Sequence, residues 1–153
     1  VNLADFDRPL NARGLDAAPF MGEFIAENNL IPDALLTSPA RRAEQTARLV
    51  KEAASIPVSI RFDERIYEAS PQTLNLIISE LADDLNSAML VGHNPGIEGF
   101  IRFLSGQLEP MPTAALAIVD LDIDAWSDIG SKKGSVRDVA RPKDLLKARH
   151  NAM

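Results

Sequence analysis

Two stretches of this sequence place anion-gripping residues directly after apolar runs. The first, Ser38-Pro39-Ala40-Arg41-Arg42-Ala43-Glu44-Gln45-Thr46, follows the run Ala34-Leu35-Leu36-Thr37. A guanidinium can make two parallel hydrogen bonds to phosphate oxygens, so an arginine here could clamp a phosphoryl group. At helical spacing Arg42 shares a stripe with Thr46, Leu49 and Ala53, whereas Arg41 lines up with Gln45, Arg48 and Glu52. Arg42 is therefore the inward candidate; the alternative is that both arginines sit on the solvated face of an amphipathic helix. The second stretch, Leu90-Val91-Gly92-His93-Asn94-Pro95-Gly96, carries an imidazole that could donate to a phosphoryl oxygen or manage a leaving-group proton. The turn that begins at Asn94 offers further groups to bind the same anion. The alternative for His93 is a structural histidine at a strand end. A third candidate is Glu68, in Ile66-Tyr67-Glu68-Ala69-Ser70, whose carboxyl could act as a general acid or could simply be solvated beside the next helix.

These positions matter because ligands of open α/β sheets bind outside the carboxyl ends of the strands, where helix starts present free N–H groups and a positive dipole end. The pattern around them is of that kind. Within residues 11–29, Phe20, Met21, Phe24 and Ile25 mark one buried helix face, with Pro19 expected in the first turn. Residues 33–37 are a short apolar run. Ser38 is expected to cap a helix that has Pro39 at its first position and runs to about Ala54. Residues 57–61 read as a strand, and Ser70-Pro71 repeats the capping device before a helix with Leu74, Ile77, Ile78 and Leu81 inside. Residues 88–91 are expected to be a buried strand, 95–104 a helix, 115–121 a strand, 126–139 a hairpin turning around Gly130 and Gly134, and 143–149 a short polar helix or tail. Strands alternating with helices predict right-handed βαβ units and a mostly parallel sheet covered on both faces.

Bulk properties narrow the function. Residues 1–153 are the size of one domain, and 46% hydrophobic with 25% charged residues is the balance of a folded, soluble chain. The absence of cysteine removes disulfides and thiol nucleophiles, and suits a reducing cytoplasm. Two histidines leave little material for a metal site, and His150, near the polar end, is expected to be exposed. A net charge of −6 disfavours nucleic acid, and no run suggests a membrane span or signal segment. An anionic ligand would therefore need a local cationic pocket. No Walker loop, dinucleotide fingerprint or serine nucleophile elbow is present.

The segments Asp7-Arg8-Pro9-Leu10-Asn11-x-Arg13-Gly14, Ser38-Pro39-x-x-Arg42-Ala43-x-Gln45-Thr46 and Val91-Gly92-His93-Asn94-Pro95-Gly96 together resemble the histidine phosphatase superfamily. Their order and spacing resemble its SixA-like branch, with support from Ile66-Tyr67-Glu68-Ala69, Pro112-Thr113-Ala114-Ala115 and Pro142-Lys143-Asp144-Leu145. The resemblance implies an α/β fold of three αβα layers around a mostly parallel sheet, as in phosphoglycerate mutase. It also implies two histidines and two arginines around one phosphate, with no metal or other cofactor. Arg42 would be the second pocket arginine, His93 the second histidine, Asn94 a substrate-side residue, and Glu68 the position where related enzymes keep a proton donor. The nucleophilic histidine would end a first strand, in an Arg-His pair ahead of Asp7; neither His93 nor His150 matches it, and the loop-like opening at Val1 reads as the start of a fragment. The activity implied is hydrolysis of phosphohistidine on a partner protein through a covalent phosphohistidine enzyme, with phosphate or sulfate able to occupy the pocket. A small phosphate ester is the alternative substrate. Without a nucleophilic histidine, the alternative is a non-catalytic phosphate- or phosphopeptide-binding module.

Overall fold

The computed structural model describes residues 4–152, with side chains through residue 147. Three parallel strands, β1 (Ala34–Thr37), β2 (Ile60–Phe62) and β3 (Ala88–Val91), form a sheet in the order β2-β1-β3. In register, Leu36 lies opposite Arg61 on one side and Leu90 on the other. Two further strands, β4 (Leu116–Leu121) and β5 (Gly134–Ala140), pair antiparallel with a bulge near Ile118. The helices are α1 (Ala12–Glu27), α2 (Arg41–Ala54), α3 (Pro71–Ser79), α4 (Gly96–Ser105) and α5 (Pro142–Ala152).

Strand alternation distributes the core to both faces of the sheet. Ala34 and Leu36 join α3 and α4 through Leu74, Ile77, Ile78, Phe100 and Leu104, while Leu35 joins α1 and α2 through Ala18, Ile25, Val50 and Ala54. The result is an αβα arrangement in three layers. Leu35 and Leu74 are almost wholly buried, and truncating a leucine in such a site typically costs about 2–5 kcal/mol. At the α1–α2 contact, a Cβ on Gly22 would lie 2.6 Å from the Ala53 Cβ and 2.9 Å from the Val50 carbonyl oxygen, so only glycine allows this approach.

Local signals placed most elements and misplaced several details. Asn11, whose side chain accepts the Gly14 N–H at 3.0 Å, starts α1 so early that Pro19 lies inside the helix rather than in its first turn. Ser70 caps α3 as expected, by accepting the Thr73 N–H, and Leu74, Ile77, Ile78 and Leu81 are buried. Ser38 does not cap α2: the cap position is Ala40 and the helix begins at Arg41, because Ser38 is drawn into the protein. The stretch 126–139 is not a hairpin by itself. Trp126–Asp128 is a 3-10 turn, and β5 pairs back onto β4. Asp5–Asp7 also forms a 3-10 turn, whereas Val1, Asn2, Leu3 and the His150 side chain lie outside the described residues.

β3 was expected to be buried, yet all four of its residues are half-buried. Among the described residues β3 pairs only with β1, and β4 only with β5. Both strands nevertheless serve the same two core clusters: Ala88, Leu90, Val119 and Leu121 pack towards α3 and α4, and Met89, Val91 and Leu116 towards α1 and α2. They thus lie in one layer without being joined by hydrogen bonds, each with one edge unpaired. No helix among the described residues is long and apolar enough to cross a membrane.

Candidate active site

The carboxyl ends of β1 and β3 are neighbours, so the residues that follow them meet. Thr37 lies opposite Val91, and the Ser38 N–H donates to the Val91 carbonyl at 3.0 Å. Ser38 is fully buried, and its Oγ lies 2.7 Å from His93 Nε2. The Tyr67 ring stands edge-on to His93, with centroids 5.5 Å apart and planes at 87°, and Phe6 stands edge-on to Tyr67 at 5.1 Å. Burial, and then the charge of Arg42, hold His93 below the ordinary imidazole value, against the opposing pull of Asp5. A largely neutral ring beside a cation is thereby favoured.

Arg42 reaches the same place from the first turn of α2. Its guanidinium donates to the Asp5 backbone carbonyl at 2.8 Å and to Asp5 Oδ2 at 3.2 Å, and Tyr67 donates its hydroxyl to Asp5 Oδ2 at 2.7 Å. The Tyr67 hydroxyl, with Arg42 adding to it, holds the Asp5 carboxyl below its usual range. In return the Asp5 carboxylate is the main cause that pushes Tyr67 up to about 12. Arg42, Asp5, Tyr67 and His93 therefore form one connected group. Arg41 is exposed, as the stripe argument requires. Arg65 shows what a purely structural arginine looks like here: Asp63 and Glu80 both chelate its guanidinium, whereas Arg42 holds a single carboxylate from a short turn.

Glu68 lies on the exposed rim next to Tyr67, with φ at +54°, a left-handed conformation uncommon outside glycine. Its carboxylate makes no hydrogen bond or ion pair with the described residues, and its charge is felt at Tyr67. The Asn94 side chain is committed to the turn: its Nδ2 donates to the Met111 carbonyl at 2.8 Å and to Glu98 Oε2, and its Oδ1 accepts the Glu98 N–H. Glu98 Oε2 also accepts the Met111 N–H at 2.7 Å, fastening the 107–115 loop beside the turn. Gly96 presses the start of α4 against the Glu68 loop, since an added Cβ would lie 2.5 Å from the Ala69 carbonyl oxygen.

Asp5, Ser38 and Tyr67 were not singled out by sequence reasoning. Ser38 resembled a helix cap, and Asp5 and Tyr67 have no local pattern that announces a role. Gln45, read as part of a polar face, accepts the Leu10 N–H at 2.7 Å and so anchors the chain just after the Asp5 turn. Among the described residues no three potential metal ligands cluster.

The Asp5 carboxylate and the Tyr67 ring link the Arg42 guanidinium to the His93 imidazole, and comparison with known proteins gives both a sequence match and a shared fold. Residues 4–83 match the profile of the histidine phosphatase superfamily, branch 1. An uncharacterized protein of Mycobacterium tuberculosis is 30% identical over 138 residues, covering 83% of this chain and 84% of its own. A 68-residue stretch is 46% identical to the 2,3-bisphosphoglycerate-dependent phosphoglycerate mutase of Mycobacterium leprae, over 41% of this chain and 28% of the mutase. Among solved structures, a candidate phosphohistidine phosphatase SixA from Agrobacterium tumefaciens superposes with a TM-score of 0.79 at 27% identity, covering 92% of this chain and 88% of that one. A protein histidine phosphatase SixA complexed with tungstate shares the fold, with a TM-score of 0.82 at 23% identity over 95% and 91% of the two chains. The three-layer α/β arrangement and the matched sequence together establish that this chain belongs to the histidine phosphatase superfamily.

Proposed function

We propose that this protein is a phosphatase that releases phosphate from phosphohistidine on a partner protein, through a covalent phosphohistidine enzyme and without a metal. The observation that carries the reading is the convergence of Arg42 and His93 at the carboxyl edge of the parallel strands, joined through Asp5 and Tyr67. Arg42 would exchange Asp5 for two phosphoryl oxygens, stabilising charge as phosphorus is attacked. His93 would donate to a further oxygen. Asn94 serves by fixing the His93 turn, and Glu68, on the rim, is the proposed proton source for the departing nitrogen.

The nucleophile in this reading is the histidine of the Arg-His strand expected ahead of Asp7. The unpaired edges of β3 and β4, in one layer, support a place for such a strand with its carboxyl end beside His93. Its imidazole nitrogen attacks phosphorus, the bond to the substrate imidazole breaks, and the leaving nitrogen takes a proton. Water then cleaves the enzyme phosphohistidine to phosphate and the free imidazole. Dividing the reaction into two displacements lowers each barrier.

The test is hydrolysis of a phosphoramidate and of a phosphohistidine-bearing protein in EDTA by a form that carries the Arg-His strand. Release of phosphate with an acid-labile phosphoenzyme is expected. Strict dependence on a divalent metal would overturn the mechanism, and faster turnover of a small phosphate ester would transfer the assignment to that substrate class. Phosphate binding without turnover would leave a binding module.

A further inference from the structure

Ser38 is fully buried at the end of β1, yet no step of the phosphoryl transfer uses its hydroxyl. A hydroxyl has one proton to donate and two lone pairs. Ser38 Oγ already accepts the Ala40 N–H at 3.2 Å, and among the described residues the acceptor within reach of its own proton is His93 Nε2, at 2.7 Å. Were the imidazole proton on Nε2, the buried hydroxyl proton would have no acceptor among the described residues, an arrangement that protein interiors avoid. His93 Nδ1 makes no hydrogen bond to the described residues, and the edge-on contact with Tyr67 fixes the plane of the ring.

We infer that Ser38 is a positioning residue that holds His93 as the neutral tautomer protonated on Nδ1, so that His93 meets a phosphoryl oxygen as a fixed hydrogen-bond donor rather than as a titrating acid. The second half of this statement rests on the anion site proposed above; the tautomer does not. The bond made by one ring nitrogen decides the proton on the other. Protonating His93 would place a proton on Nε2 and force the Ser38 hydroxyl to turn away towards no acceptor. Of the charged and titratable groups around the ring, Arg42 acts in the same direction as Ser38, and Asp5 acts against it, with Tyr67 bonded to Asp5. Ser38 thus turns an apparent helix cap into a control on the site's chemistry.

The test needs no turnover. In the nitrogen-labelled protein, the imidazole signals that disappear in a His93→Gln form are those of His93. Long-range proton–nitrogen correlations, at a pH where imidazole is neutral, should show a protonated Nδ1 and a lone pair on Nε2. Ser38→Ala should move the population towards the Nε2-protonated form, and Ser38→Thr, which keeps the hydroxyl, should restore it. Protonation on Nε2 in the Ser38 protein, or no change in Ser38→Ala, overturns the inference, and the first measurement decides it even if Ser38→Ala fails to fold. Addition of inorganic phosphate separates the two readings. A shift of the Nδ1 signal that is lost in Arg42→Ala supports both, whereas the expected tautomer with no response to phosphate upholds the role of Ser38 and overturns the anion site.

Discussion

The two strand ends that build the site share one plan, a strand, a proline-containing turn and a helix, but they use it in opposite ways. After β3 the turn is tied at every point: His93 and Asn94 accept the Ile97 and Glu98 N–H groups, Asn94 holds Met111, and Gly96 is wedged against Ala69. After β1 no side chain caps the first turn of α2, and the one serine that could have done so points inward to His93. The rigid end holds a ring at a fixed angle, and the open end carries a helix start without a side-chain cap and a guanidinium held by the exposed Asp5 turn. An anion site needs both, because a donor must be pre-oriented and the charge must remain exchangeable.

Substitutions can break this division of labour, and the largest effects should fall on the chemistry. In a form carrying the Arg-His strand, His93→Ala should lower kcat by about 10²–10⁴-fold with substrate affinity nearer to normal, since the ring acts as charge develops. Arg42→Ala should raise KM as well as lower kcat, and Arg42→Lys should recover only part, because an ammonium lacks the fork. Steady-state kinetics of the three variants separates the two ends. Wild-type kcat in His93→Ala would make that end structural.

A smaller effect is expected from loosening the rigid end without touching the reacting groups. Gly96→Ala must displace the Ala69 carbonyl, so denaturant unfolding should show a loss of about 1–3 kcal/mol, typical of overpacking at a tight contact. Activity should fall with it, because the Tyr67–Glu68 loop moves. Unchanged stability would show that this contact can relax freely.

The mildest change sharpens the open end. Asp5→Ala removes the carboxylate that holds Arg42, so inorganic phosphate should bind a few-fold more tightly, as expected for loss of an exposed competing pair. Tyr67 is the single tyrosine of the chain, and its absorbance titration should fall from about 12 towards the ordinary value near 10. The sign for Asp5 is that of a lowered carboxylate: the Arg42 contact is present in full above the ordinary carboxylate pKa and is lost as pH falls through the depressed one. Calorimetric titration of phosphate against wild type and Asp5→Ala would check the competition. Equal affinity would mean that Asp5 and phosphate do not share Arg42.

Sequence by itself determined the α/β alternation, the buried face of α3 and, in α1, the burial of Met21 and Ile25 but not of Phe20 and Phe24, which are half-buried, because periodicity, proline and capping residues act over a few positions. Arg42, His93, Asn94 and Glu68 were picked out as candidates on the same local grounds, each near a strand end or helix start. Tertiary structure alone decided what those residues touch. The Arg42–Asp5, His93–Ser38 and Tyr67–Asp5 contacts join positions 37, 55 and 62 residues apart, and they exist only because β1 pairs with β3 and the Asp5 turn folds over α2. The same holds for β5, whose partner is β4 rather than its own neighbours, and for the unpaired edge of β3, whose apolar run reads as a buried strand. A cap-like serine, an aspartate in a loop and a lone tyrosine have several satisfactory local uses. Only the packing of distant elements selects among them.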